Sequence, residues 1–126
     1  MNVLSICNLS KSFGEQKIIK NLNLSVPEGS VFGFIGQNGA GKTTTMKMVL
    51  GLLQPDEGEI RVCNEPVRFG QTKTNQYIGY LPDVPEFYNY MTAIQYLTLC
   101  GEIVGLSKNH FSKRTKATFP CRSGWR

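Results

Sequence analysis

The chain has 126 residues, a length that points to one domain, and its 40% hydrophobic and 18% charged residues are ordinary for a soluble globular protein. The net charge is +5, but all nine acidic residues lie before position 107, and the basic residues beyond it (Lys108, Lys113, Arg114, Lys116, Arg122, Arg126) face no acid there; this reads as a solvated basic tail, so no nucleic-acid partner is expected. No apolar run reaches membrane-spanning length, and the polar Asn2, Ser5 and Asn8 behind Met1 do not make a secretory leader, so the cytoplasm is the expected compartment.

Residues 3–7 are rich in β-formers. Leu22, Leu24 and Val26 alternate with Asn23 and Ser25, the period of a half-buried strand. Pro27-Glu28-Gly29 reads as a turn. The continuous apolar run Val31-Phe32-Gly33-Phe34-Ile35 predicts a strand buried on both faces. After Lys42 the period changes: Met46, Val49, Leu50 and Leu53 share one helical face, and Pro55-Asp56-Glu57-Gly58 is expected to stop that helix. Glu59 to Val62 alternates as a short strand, followed by Asn64, which tolerates a turn conformation. Tyr77 to Leu81 is a further strand candidate. Thr92 with Gln95 forms a capping box for a helix whose apolar face would hold Ile94, Leu97, Cys100, Ile103 and Val104.

Cys7, Cys63, Cys100 and Cys121 are scattered, and His110 is the one histidine. The cysteines read as semi-buried thiols and His110 as a surface residue, not as a zinc site or disulfide framework.

Between the apolar run and the helix lies Gly36-Gln37-Asn38-Gly39-Ala40-Gly41-Lys42-Thr43, which fits the phosphate-binding P-loop pattern G-x-x-x-x-G-K-[ST]. Such a loop works through its backbone. Gly36, Gly39 and Gly41 permit positive φ and close approach of the main chain to phosphate. Successive N–H groups converge into an anion-binding nest, and the following helix points its positive end at the same place. Lys42 is expected to reach the β/γ-phosphates and Thr43 to offer its hydroxyl to Mg²⁺.

The flanks narrow the choice among P-loop proteins. "LSKSFGEQKIIKNLNLSVPEGSVFGFIGQNGAGKTTTMKMVLGLLQPDEGEIRV" resembles the start of an ATP-binding-cassette (ABC) transporter ATPase domain, and "IGYLPDVPEFYNYMTAIQYL" resembles the stretch around that family's Q-loop. The resemblance covers about residues 3–106, leaving 107–126 as the tail. It implies an α/β P-loop NTPase fold, of which this chain would hold the N-terminal half: an antiparallel β subdomain with a strand–P-loop–helix core. It also implies ATP and Mg²⁺ as ligands, with Phe13 stacking on adenine, residues 36–43 holding the phosphates and Thr44 reaching the α-phosphate; for Phe13 an apolar strand-end contact is the alternative. Asp83 stands where the family has its Q-loop glutamine. A carboxylate there can still bind Mg²⁺ but cannot donate as an amide does; a solvated loop acid is the alternative. Phe87, Tyr88 and Tyr90 follow, either as anchors for a membrane subunit or packed on the neighbouring helix. Implied partners are a membrane-spanning transporter subunit and a second ATPase domain, which places the protein peripherally on the cytoplasmic face of the membrane.

The family's signature motif, Walker B aspartate, catalytic glutamate and switch histidine have no match after residue 106. Binding without turnover is therefore expected, because phosphoryl transfer depends on positioning the attacking water and stabilising charge. The run Val31–Ile35 would also lack the neighbour that the Walker B strand gives it, leaving an apolar edge. Advancing the codon frame by one base from Ala117 permits Leu-Leu-(Phe/Ser)-Leu-(Val/Ala)-Gly-Leu-Asp-Gly, similar to the family at this point, and suggests a frameshift near Lys116. Sequencing the gene tests this: a shifted frame without a signature motif downstream would end the idea. Two other readings compete. A nucleotide kinase or GTPase is a second P-loop class, though no N-K-x-D-like base motif occurs. A non-catalytic regulatory or nucleic-acid-binding module would use the tail, which has Phe111, Phe119 and Trp125 but no recognisable motif.

Overall fold

Two long strands, β1 (Asn2–Phe13) and β2 (Gln16–Pro27), form an antiparallel hairpin across Gly14 and Glu15. Gly14 supplies the positive φ (60°) at the tip. Strand β3 (Glu57–Val62) pairs with the other edge of β1, and the two-residue β4 (Glu65–Pro66) pairs with β3, giving the order β2-β1-β3-β4. Cys63 and Asn64 join β3 to β4, both at positive φ, as a tight hairpin turn of the primed type requires. The computed structural model describes residues 1–84, 86–103, 105–107 and 109. Met1–Tyr80 and Leu81–Arg126 form two separate compact units. The sheet belongs to the first. The tail from 107, apart from Ser107 and Asn109, lies outside the described residues, as do His110, Cys121, Val104 and the tail's aromatic residues.

The hairpin is not regular. Its register shifts between Ile6 and Leu9, where Asn8 adopts φ 49°. The Asn8 N–H donates to Asn23 Oδ1 (2.9 Å), Asn23 Nδ2 donates to the Asn21 carbonyl (3.0 Å), and the Asn21 N–H donates to Ser10 Oγ (3.0 Å). Short polar side chains thus satisfy backbone groups that the bulge removes from the ladder. Leu22, Leu24 and Val26 point to the half-buried face, as their alternation predicts.

Helix α1 (Lys42–Val49) packs on this sheet. The core is Ile6, Leu9 and Ile19 of the hairpin, Ile60 of β3 and Met48 of α1. The buried positions of α1 are Thr45 and Met48, not the predicted stripe: Met46 is exposed and Val49 and Leu50 are half-buried. Thr45 disguises the true stripe because a hydroxyl counts as polar in the sequence. Here it is satisfied inside the helix, donating to the Gly41 carbonyl at 2.8 Å. The helix also stops earlier than the Pro55 signal suggests. Gly51 takes φ 74°, its N–H donates to the Met48 carbonyl (3.1 Å), and the Leu52 N–H donates to that of Lys47 (2.9 Å). This is a Schellman end built on one glycine.

Two predicted strands do not form. Residues 31–35 carry no strand pairing, and Val31 and Ile35 are almost fully exposed. An apolar run becomes a buried strand only beside partners that take its N–H and C=O groups, and among the described residues none pairs with it. Residues 77–81 likewise carry no strand pairing among the described residues; a 3-10 turn, Lys73–Tyr77, occupies their start, and Leu81 is exposed.

The second unit contains α2 (Ala93–Ile103). Its capping box forms as predicted: the Thr92 N–H donates to Gln95 Oε1 (2.9 Å) and the Gln95 N–H to Thr92 Oγ1 (3.3 Å). Its predicted apolar face is largely exposed, with Ile94, Cys100 and Ile103 facing outward and Leu97 half-buried. Tyr96, on another side of the helix, meets Phe87 edge to face at 5.1 Å between centroids, and Tyr88 stands 6.3 Å from it and 5.5 Å from Tyr90. Cys7 and Cys100 are exposed rather than semi-buried, and Cys63 is half-buried.

Candidate functional site

The loop of residues 36–41 enters α1 through Gly41, the helix N-cap, at φ 94°. This glycine cannot be another residue without movement. A Cβ on it would stand 2.9 Å from Ile19 Cγ1, 3.1 Å from Ile18 Cγ2 and 3.3 Å from the Ile18 carbonyl oxygen. The last glycine of the loop is therefore seated on β2, and the sheet fixes where the helix begins. Gly39 also takes positive φ (83°), but in open space. Gly36 does not: it is absent from the left-handed region, contrary to the expectation for it. Its size matters instead, because a Cβ there would lie 3.1 Å from that of Ala40. Within the loop the Ala40 N–H donates to the Gln37 carbonyl (3.0 Å), closing a turn around Asn38.

Lys42 folds back over this loop. Its Nζ donates to the Gly36 carbonyl and, at 2.9 Å, to the Gln37 carbonyl. The loop thus encircles an ammonium held by main-chain oxygens, and no carboxylate is bonded to it among the described residues. A triphosphate would meet a full positive charge, a helix N-terminus and unpaired backbone N–H groups in one place. Thr43 is exposed and Thr44 half-exposed at the start of α1, so the Thr43 hydroxyl is accessible to a cation. No group of three or more His, Cys, Asp or Glu side chains that could hold a metal occurs among the described residues. One hydroxyl beside a phosphate site suits Mg²⁺, which keeps several waters and takes its other ligands from phosphate.

Phe13 ends β1 at the hairpin tip, with half of its surface exposed. It is not buried as a strand-end core residue. Lys11 Nζ stands over its ring, 5.4 Å from the centroid. The same ammonium is bonded to Asp56 Oδ1 at 3.0 Å. Lys11 pairs in register with Ile19, the residue on which Gly41 sits, so the hairpin end and the phosphate loop share one stretch of sheet. Lys11 lies two residues before Phe13 on β1, whereas Asp56, expected from the sequence only as part of a helix stop, is brought to Lys11 by the pairing of β1 with β3. Asp83 lies on an exposed bend of the second unit.

A family model described as "ABC transporter" matches residues 19–118. The chain is 42% identical over 106 residues to an uncharacterised ABC transporter ATP-binding protein, YxlF, of Bacillus subtilis, covering 84% of this chain and 34% of that protein. It is 37% identical over 108 residues to the bacitracin transport ATP-binding protein BcrA of Bacillus licheniformis, covering 86% of this chain and 35% of the relative. Among solved structures, an ATP-binding subunit of an ABC transporter superposes with a TM-score of 0.85 at 28% identity, covering 94% of this chain and 49% of the other. The fold is also that of cbiO1 from Clostridium perfringens, at a TM-score of 0.76 and 23% identity over 94% of this chain and 49% of that one. The chain spans about a third of the length of these curated relatives.

Proposed function

The chain belongs to the ABC transporter family of ATP-binding proteins, and on that premise we propose that it binds Mg²⁺–ATP at the loop of residues 36–44. The carrying observation is Lys42 at the start of α1, its ammonium wrapped by the loop's own carbonyls while Gly39 and Gly41 take positive φ. Gly36, Gln37, Asn38, Gly39, Ala40 and Gly41 would cradle the phosphates with backbone N–H groups. Lys42 would trade its two carbonyl contacts for phosphate oxygens, Thr43 would add a hydroxyl to Mg²⁺, and Thr44 would approach the α-phosphate. The exposed ring of Phe13 would take the adenine. Asp83 is proposed, through the resemblance at the Q-loop position, as a second Mg²⁺ contact.

Transport function is proposed by relationship. The protein would act as the ATP-binding subunit beside a membrane-spanning transporter component and a second ATPase domain, on the cytoplasmic face of a membrane. No helix among the described residues is long and apolar enough to cross a membrane. The exposed Phe87, Tyr88 and Tyr90 around α2 suit contact with such a component. Hydrolysis would require the signature, Walker B and catalytic glutamate functions, which match nothing in these 126 residues.

Calorimetric titration with Mg²⁺–ATP tests the reading. Lys42→Ala should weaken binding by roughly tenfold or more, as loss of a charge-assisted contact implies. Equal affinity in variant and parent would remove the assignment. ATP turnover by the 126-residue chain should not exceed that of the Lys42→Ala control.

A further inference from the structure

We propose that Lys11, tethered by Asp56, is a positioning residue for Phe13: it occupies one face of the ring and leaves the other as a preset platform for a purine base. The proposal rests on the reading that Phe13 stacks on the nucleotide base.

A phenylalanine at a hairpin tip has little to hold it. Half of the Phe13 surface is exposed, and a ring so placed samples several rotamers, whose freedom is lost on stacking. Lys11 changes this. A lysine on a strand surface ordinarily trails its ammonium through solvent, yet the Lys11 side chain is only 13% exposed. Its Nζ donates to Asp56 Oδ1 at 3.0 Å, and it stands 5.4 Å from the Phe13 centroid, within reach of the ring quadrupole.

The tether is itself pinned. Asp56 Oδ2 accepts the Ser12 N–H at 2.7 Å, and the Asp56 N–H donates to the Ser10 carbonyl at 3.0 Å. The segment between α1 and β3 is therefore bonded to β1 on both sides of Lys11. Each of these contacts spans more than forty residues of chain. An aspartate tied to β1 twice, through its carboxylate to the Ser12 N–H and through its own N–H to the Ser10 carbonyl, holds the ammonium, and the ammonium selects a ring orientation. One ring face then carries the ammonium, and the exposed half of the side chain is left for one base to stack. Asp56 acts through Lys11 and has no bonding of its own to the ring.

The test separates base recognition from phosphate recognition. Affinities for Mg²⁺–ATP and Mg²⁺–tripolyphosphate are measured by calorimetry on the full chain, and their ratio is the readout. A role confined to stability moves both affinities together and leaves the ratio alone. Phe13→Ala should collapse most of the preference for ATP. Lys11→Met should lower the ratio by roughly two- to fivefold, the range of an exposed cation–π contact, and Lys11→Arg should restore it. Asp56→Asn, which keeps an acceptor for the Ser12 N–H, should lower the ratio without altering Lys11 itself. Lys11→Met in the Phe13→Ala background should add nothing. If Phe13→Ala reduces the ratio while Lys11→Met and Asp56→Asn leave it at the parent value, the positioning role is overturned and the stacking stands. If Phe13→Ala leaves the ratio unchanged, the stacking reading falls and this inference with it.

Discussion

Gly41 rests on Ile19: a Cβ placed on the glycine would come within 2.9 Å of Ile19 Cγ1. This contact joins the antiparallel sheet to the phosphate loop. It explains why the loop's last glycine is needed for packing as much as for its φ of 94°. Gly41→Ala combines a left-handed alanine, at about 1–2 kcal/mol, with displacement of the helix start from β2. The expected outcome is a lower midpoint in urea unfolding together with weaker Mg²⁺–ATP binding. Gly39→Ala, at positive φ but with nothing within 4 Å, should show only the backbone effect.

A larger loss is expected at Gly58. Its φ is 94°, and a Cβ there would lie 2.5 Å from the Asn8 carbonyl oxygen, 2.6 Å from that of Cys7 and 2.6 Å from Leu9 Cα. All three obstacles are backbone in the bulge of β1, so no side chain can swing aside. Gly58→Ala should separate β3 from β1 and destabilise more than Gly41→Ala. The order Gly58, Gly41, Gly39 in unfolding free energy checks this, and a Gly58→Ala variant as stable as the parent would contradict the register described.

Met48 and Met46 make a matched pair on α1. Met48 is 1% exposed among Ile6, Leu9, Ile19 and Ile60, whereas Met46 is exposed. Met48→Ala should cost about 2–5 kcal/mol through lost burial and a cavity. Met46→Ala should stay within about 0.5 kcal/mol, as for a surface change. Equal losses would mean that α1 is rotated on the sheet.

Asp56 should make stability depend on acid. The Ser12 N–H and then the Lys11 ammonium hold its carboxyl below the ordinary value of 3.8. A group whose pKa falls on folding stabilises the fold above its unfolded pKa, and that contribution is lost as pH drops through the folded value. The melting temperature of the parent should therefore exceed that of Asp56→Asn at neutral pH, and the gap should close only below about pH 3.8. A gap that persists unchanged into strong acid would show that ionisation of Asp56 is not its source.

The positive φ of Gly39 and Gly41 ahead of α1, though not that expected for Gly36, the alternating residues of β2, the turn at Asn64 and the capping box of α2 were legible in the sequence. Each depends on residues within a few positions of one another: a glycine spacing, a two-residue period, a Thr92–Gln95 exchange. Such patterns are written where their partners are. The face of α1 was not legible, because a threonine with an internally satisfied hydroxyl occupies the buried stripe. Val31–Ile35 was legible in part: an unpartnered apolar edge was expected and Val31 and Ile35 are exposed, but apolar character marks a run as fit for a buried strand without supplying the strands that would bury it. Tertiary structure alone decided that Gly41 sits on Ile19 and that Asp56 reaches back to Lys11 beside Phe13. Those contacts join segments far apart in the chain, and their geometry exists only once β1 has paired with β2 and β3 and the helix has docked on the sheet they form.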